Sequence, residues 1–274
     1  MLATLIIVFR ELIEAGLIVG IVLAATRGVP QRGRWVGYGI GGGILGACIV
    51  ALFANTIASA MEGMGQEIFN ASVLSLAVVM LAWHNIWMAR HGREMAQEMK
   101  TVGHEVATGK RSLFALAIVV GIAVLREGSE IVLFLYGIAI SGGKDVAASM
   151  LLGGALGVVS GIALSMMIYF GLLRIPTRYL FSVTSALIAL LAAGMAAKAI
   201  AFLQQSGTLT ALSDTVWDTS NILSEGSTFG SALNTLIGYI DRPNEMQLIA
   251  YLGTLAVIFG LMRVFKPAPR ATAV

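Results

Sequence analysis

Two copies of one charged string interrupt apolar runs that are long enough to cross a lipid bilayer: Arg10-Glu11-Leu12-Ile13-Glu14 and Arg126-Glu127-Gly128-Ser129-Glu130. Both read Arg-Glu-x-x-Glu. An ionised side chain at the centre of a membrane helix costs about 2.5–3.5 kcal/mol on insertion scales. Six such groups in two matching sets imply a site that needs carboxylate oxygens inside the membrane, and hence a path for cations.

Helix geometry shows how each string is built. At about 100° and 1.5 Å per residue, Arg10, Glu11 and Glu14 share an arc of about 100°, with the two carboxylates about 4.5 Å apart along the axis. The arginine sits one turn from the second glutamate, close enough to neutralise it while no metal is present. Two antiparallel copies facing each other would surround one axis with four carboxylates. Such hard oxygen donors suit iron, manganese, magnesium or calcium better than copper(I). The alternative is a purely structural ion-pair network between helices, since intramembrane charges usually pair with one another. Four glutamates against two arginines leave two negative charges unmatched, which protonation or a bound metal would relieve.

The rest of the chain fits an all-α membrane protein. Of 274 residues 57% are hydrophobic and 12% charged, about half the charge of ordinary soluble domains. A formal net charge of +3 is too small to suggest nucleic acid. Cys48 is the single cysteine, so no intrachain disulfide can form. Seven candidate spans fall near 2–25, 35–60, 68–89, 113–140, 146–173, 179–203 and 247–264, each near the roughly 20 residues needed to cross a bilayer core. Residues 2–25 read as a retained span, because they lack a basic leader and Arg10-Glu11 breaks the apolar run.

The connections alternate in charge. Arg27, Arg32 and Arg34 follow the first span and Glu62 and Glu67 the second. Arg90, Arg93, Lys100, Lys110 and Arg111 follow the third, and Arg174 and Arg178 the fifth. Arg263, Lys266 and Arg270 close the chain, while the Lys144-Asp145 turn is neutral. Basic loops stay cytoplasmic, which places the N-terminus outside and the C-terminus inside.

The chain also reads as duplicated. The charged strings are 116 residues apart, and Gly42-Gly43-Ile44-Leu45-Gly46 matches Gly153-Gly154-Ala155-Leu156-Gly157 at 111 residues. Units of three spans must be inverted relative to each other, an arrangement common in transporters, which place their site near the midplane. The resulting organisation is a first three-helix repeat over 1–90, a cytoplasmic connection over 91–112 and a second repeat over 113–203. An extracytoplasmic acidic segment follows over 204–246, then a seventh helix with a basic tail over 247–274.

On these residues the chain resembles the oxidase-linked iron permeases, which include fungal high-affinity iron permeases and bacterial Efe-type iron permeases. That family is similar in having seven spans with Arg-Glu-x-x-Glu, often Arg-Glu-Gly-Leu-Glu, in spans one and four. The likeness extends to Leu191-Ala192-Ala193-Gly194-Met195-Ala196-Ala197-Lys198 and to Gly238-Tyr239 with Arg242-Pro243. The resemblance implies iron as transported substrate and no cofactor. It also implies Glu11, Glu14, Glu127 and Glu130 as metal ligands with Arg10 and Arg126 beside them, and an extracytoplasmic oxidase or peroxidase-type partner. Leu12, Ile13 and Ser129 depart from the family pattern without removing a charge, and Ser129 could add a hydroxyl near the path.

Weaker candidates lie elsewhere. In the acidic segment Leu209, Leu212, Val216 and Leu223 fit one face of a surface helix, with Asp214 and Asp218 sharing the other; they could gather cations, although a solvated face is the simpler reading. His84, beside Asn85 in the third span, reads more readily as a hydrogen-bonded packing residue than as a ligand. Lys198 can snorkel toward the outer surface, and His91 and His104 suit a solvated cytoplasmic helix pair. The glycine strings, Gly42/Gly46 and Gly153/Gly157 among them, read as close helix contacts. The reading as a whole is an iron importer of the cytoplasmic (inner) membrane. The alternatives are a carrier of another metal, such as manganese or lead, and an intramembrane metal-dependent hydrolase.

Overall fold

Apolar residues line the outside of this molecule as well as its core. In the computed structural model, which describes residues 1–60, 65–142, 147–171 and 177–264, Leu45, Leu52, Phe53, Val79, Trp83, Leu151 and Val159 are all exposed. A soluble fold would hide such side chains; a lipid-facing one presents them.

The helices in chain order are α1 (Leu2–Ala25), α2 (Arg32–Ala60), α3 (Gln66–Ala107), α4 (Phe114–Gly142), α5 (Ala147–Tyr169), α6 (Thr177–Gln205), α7 (Thr228–Ile237) and α8 (Glu245–Val264). Five apolar stretches meet the length and composition of a membrane span: Arg32–Phe53, Gln66–Met88, Ala147–Tyr169, Ser182–Gln205 and Glu245–Val264. Helices α1 and α4, 24 and 29 residues long, also have the length, but each carries the three charges of its motif. The molecule is therefore an all-helical, multi-pass membrane protein. Glu62, Lys144, Asp145, Arg174, Lys266 and Arg270 lie outside the described residues, as do the side chains of Arg90, Arg93 and Arg178.

Helix ends follow from local chemistry. Arg32 Nη1 donates to the Leu23 carbonyl at 2.6 Å, satisfying an orphan acceptor where α1 stops. At the start of α8, Asn244 Oδ1 accepts from Gln247 N at 2.8 Å while Gln247 Oε1 accepts from Asn244 N at 3.0 Å. This reciprocal cap explains why the helix begins two residues before the apolar run.

The main pairings are α2 with α4, α1 with α5, and α3 with α6, with α8 against α6. Small residues permit the first two. A Cβ on Gly43 would stand 2.8 Å from the Gly121 carbonyl oxygen and 2.9 Å from the Leu125 amide nitrogen. On Gly157 it would stand 2.9 Å from Leu5 O and 3.1 Å from Phe9 N. The backbones touch in the same way in both places. Gly39 likewise meets Ala117 as Gly153 meets Met1. The contact partners are 116 residues apart, like the charged strings, but the glycines are 114 apart instead of the 111 that separates the two glycine strings. Gly42, read as a contact, faces open space. A one-turn shift preserves the glycine pattern, so only packing distinguishes the registers.

Two further expectations are corrected. Residues 91–107 do not form part of a helix pair: α3 continues unbroken for 42 residues, about 63 Å at 1.5 Å per residue and twice a bilayer core. Its far end stays helical because Val102 and Val106 are buried, with Val106 in an apolar cluster beside Val22, Val36, Leu116 and Val120. Residues 206–227 are not a surface helix. They form turns and irregular chain, with Leu212 at φ 54°, and Thr215 bridging to Asn244. The Ser, Thr, Asp and Asn side chains of this segment compete for backbone groups and disfavour helix.

Candidate metal centre

The motifs sit near the middle of α1 and α4 and point into the bundle. Arg10, Glu11, Glu14 and Glu127 are all buried, Glu130 is nearly so, and Arg126 is 31% exposed. Each arginine serves its own helix. Arg10 Nη1 lies 3.1 Å from Glu11 Oε1 and Nη2 2.9 Å from Glu14 Oε1. Arg126 Nε lies 3.1 Å from Glu130 Oε1 and 3.9 Å from Glu127 Oε1. The two guanidiniums differ in setting: Arg10 is sealed in, whereas Arg126 stacks over the Trp87 ring of α3 at 4.0 Å.

Helix α3 supplies the residue that joins the two motifs. His84, 3% exposed, contacts Glu130 Oε2 through Nδ1 and turns Nε2 toward Glu14 Oε2 at 3.7 Å and Glu11 Oε2 at 3.9 Å. Phe134 meets the imidazole edge-on, and the neighbouring Asn85 donates to the Ser185 carbonyl of α6 at 2.9 Å. These contacts fix the α3 face that carries the ring. Among the described residues, Glu11, His84, Glu127 and Glu130 each offer a donor atom within 4.8 Å of the others. Oε2 of Glu11, Glu14, Glu127 and Glu130 are all buried without a hydrogen-bond donor, a costly state for carboxylate oxygens. A cavity of about 430 Å³ between α3 and α4 reaches this group, lined by Val79, Trp83, Trp87 and Phe134 together with His84, Arg126 and Glu130.

The weaker candidates divide. His84, read as a packing residue, stands among the acids; its sequence signal was only its depth in an apolar run. Ser129 Oγ donates to the Arg126 carbonyl at 2.8 Å, a back-bond within α4. Asp214 and Asp218 lie exposed in the irregular segment. Asp218 accepts from the Ser220 hydroxyl at 2.6 Å and amide at 3.0 Å and pairs with Arg242 at 3.0 Å. The Ser220 bonds, then Arg242, pull its carboxyl down to about 2. Lys198 Nζ donates to Asn234 Oδ1 of α7 at 2.8 Å, and Asn234 Nδ2 donates to Glu225 Oε1 at 2.8 Å.

Apolar helices closed around a compact group of ionisable side chains define a polytopic membrane protein with a polar centre, the architecture of an ion permease. Residues 1–268 match the iron permease FTR1 family. The chain is 31% identical to the ferrous iron permease EfeU of Escherichia coli O6:H1, over 100% of this chain and 98% of that one. It is 30% identical to the ferrous iron permease EfeU of Yersinia pestis, over 100% and 96%. No solved structure matches. The chain belongs to the iron permease FTR1 family. Its class of activity is transport with iron as the substrate, not catalysis, and the hydrolase alternative falls away.

Proposed function

We propose that this chain imports iron across the cytoplasmic membrane, with Glu11, Glu14, Glu127 and Glu130 of the paired motifs as the acidic groups the ion meets at mid-membrane. The observation that carries this reading is the charge imbalance in a buried site. Four carboxylates face two guanidiniums, and Oε2 of each of the four is buried without a hydrogen-bond donor. The excess of two negative charges equals the charge of one divalent cation. Arg10 and Arg126 hold the empty site together and yield carboxylate oxygens as an ion enters.

In this reading α1 to α6 and α8 are the seven spans, with α1–α3 and α4–α6 as inverted repeats and α8 outside them. The matched backbone contacts of Gly43 and Gly157 support that pairing. The N-terminus lies outside and the C-terminus in the cytoplasm, following the basic loops. An inside-negative potential then favours entry of a divalent ion by about 4.6 kcal/mol per 100 mV. The oxidase or peroxidase-type partner implied by the family resemblance would act at the outer face. The ferrous iron named for the relatives favours iron over manganese or lead as cargo.

Radioactive iron uptake into vesicles containing purified protein tests the proposal. Glu11→Gln, Glu14→Gln, Glu127→Gln and Glu130→Gln are each expected to lower uptake while the protein still inserts. Wild-type rates in all four variants would refute the assignment, and stronger competition by unlabelled manganese or lead than by iron would reassign the cargo.

A further inference from the structure

Building on that reading, we infer that His84 is a nitrogen ligand of the transported ion, held in position by Glu130. Its imidazole sets the preference of the site for first-row transition ions such as iron(II) over magnesium and calcium.

Three features of the geometry converge. First, the two ring nitrogens have different surroundings. Nδ1 meets Glu130 Oε2, and the other oxygen of that carboxylate is taken by Arg126 Nε at 3.1 Å. A carboxylate on one nitrogen fixes the tautomer and leaves the lone pair on the other, the arrangement that orients metal-bound histidines in general. Second, both ring nitrogens are buried with no hydrogen-bond partner, and Nε2 is aimed at Glu14 Oε2 and Glu11 Oε2 from 3.7 and 3.9 Å. Those separations exceed the usual hydrogen-bond range of about 2.7–3.2 Å. They suit two donors sharing one ion, which at about 2.1 Å from each can lie no more than about 4.2 Å apart. Third, a lone pair turned toward two bare carboxylate oxygens in a buried space is repulsive unless a proton or a metal ion stands between them, so the ring can exchange one for the other.

Glu130 thus differs from the other motif acids. Its Oε1 accepts from Arg126 Nε and its Oε2 lies against His84 Nδ1, so it acts on the ion by positioning the imidazole. The chemical consequence is selectivity. Magnesium and calcium take oxygen ligands, whereas imidazole suits iron, nickel, copper and zinc. A site made only of carboxylates would discriminate poorly against the abundant hard cations.

The test uses the purified full-length protein in detergent micelles with manganese(II) as a paramagnetic probe. Pulsed electron paramagnetic resonance reports ¹⁴N modulation when an imidazole nitrogen binds the ion directly. The wild type is expected to show it, and His84→Asp, which substitutes oxygen for nitrogen, to lose it. Glu130→Gln, whose amide oxygen still accepts from Nδ1, is expected to retain the signal, and Glu130→Leu to weaken it. In vesicles, His84→Asp is expected to lower the preference for iron(II) over magnesium by about tenfold or more.

Bound manganese without ¹⁴N modulation in the wild type overturns the inference whether or not any variant folds. An unchanged iron-to-magnesium ratio in His84→Asp overturns it as well, because a packing histidine affects all ions alike. Wild-type protein that binds no manganese and carries no iron overturns the underlying ion-site reading and this inference together; normal iron uptake with an all-oxygen spectrum overturns the histidine alone.

Discussion

His84 Nε2 stands 3.7 Å from Glu14 Oε2, joining α3 to the first motif while its other nitrogen contacts Glu130 of the second. The two strings therefore face a common space between three helices. The consequences of that closure can be measured.

Arg10 and Arg126 are expected to differ in structural weight. Arg10 is fully enclosed and bonded to two carboxylates. Arg10→Leu leaves those charges buried and uncompensated, at a cost of about 3–5 kcal/mol. The double variant Arg10→Leu/Glu14→Gln removes one of the stranded charges and should recover part of that loss. Arg126 is one-third exposed and rests on Trp87, so Arg126→Leu should cost less, about 1–2 kcal/mol. Thermal unfolding of the detergent-purified variants gives the ranking; equal losses for both arginines would contradict it.

Backbone contact between helices makes a second prediction. Gly43→Ala places a methyl against the Gly121 carbonyl and the Leu125 amide, an overpacking expected to cost about 1–3 kcal/mol. Gly157→Ala should behave alike against Leu5 and Phe9. Gly42→Ala meets open space and should be neutral or slightly stabilising through better helix propensity. Melting temperatures of the three variants decide whether the packing register is right.

The acidic segment should be dispensable for attracting iron. Asp218 is committed to Ser220 and Arg242, so Asp214→Asn and Asp218→Asn should leave iron uptake near wild type. Asp218→Asn should instead speed hydrogen exchange at the Ser220 amide. Because the folded carboxyl is held at about 2, below its ordinary value, this support is present above about pH 4 and fades as the pH falls toward 2. Exchange at Ser220 measured across that window checks the sign.

Asn234 is expected to anchor α7. It accepts from Lys198 and donates to Glu225 and to the Tyr239 carbonyl, all at 2.7–2.8 Å. Asn234→Ala should cost about 1–3 kcal/mol through polar groups left unpaired. Limited proteolysis of residues 206–240 would report the loosening, and unchanged protection would count against it.

Sequence alone determined the class of protein, the positions of the long helices and the identity of the motif acids. These properties are written locally: an apolar run of bilayer length, basic residues beside it, and charges spaced one turn apart. The start and end of α1 and the end of α8 could be read to the residue, because composition changes abruptly there. The continuation of α3 to Ala107 could not be read, since its helical state beyond the apolar run depends on burying Val102 and Val106 under neighbouring helices. Nor could the glycine register, in which a shift of one turn keeps the pattern and only backbone contact chooses. The placement of His84 is also a tertiary fact. A single histidine in an apolar span has no sequence signature that separates a packing role from a site. Its partners lie on two other helices, brought to it by packing between segments far apart in the chain.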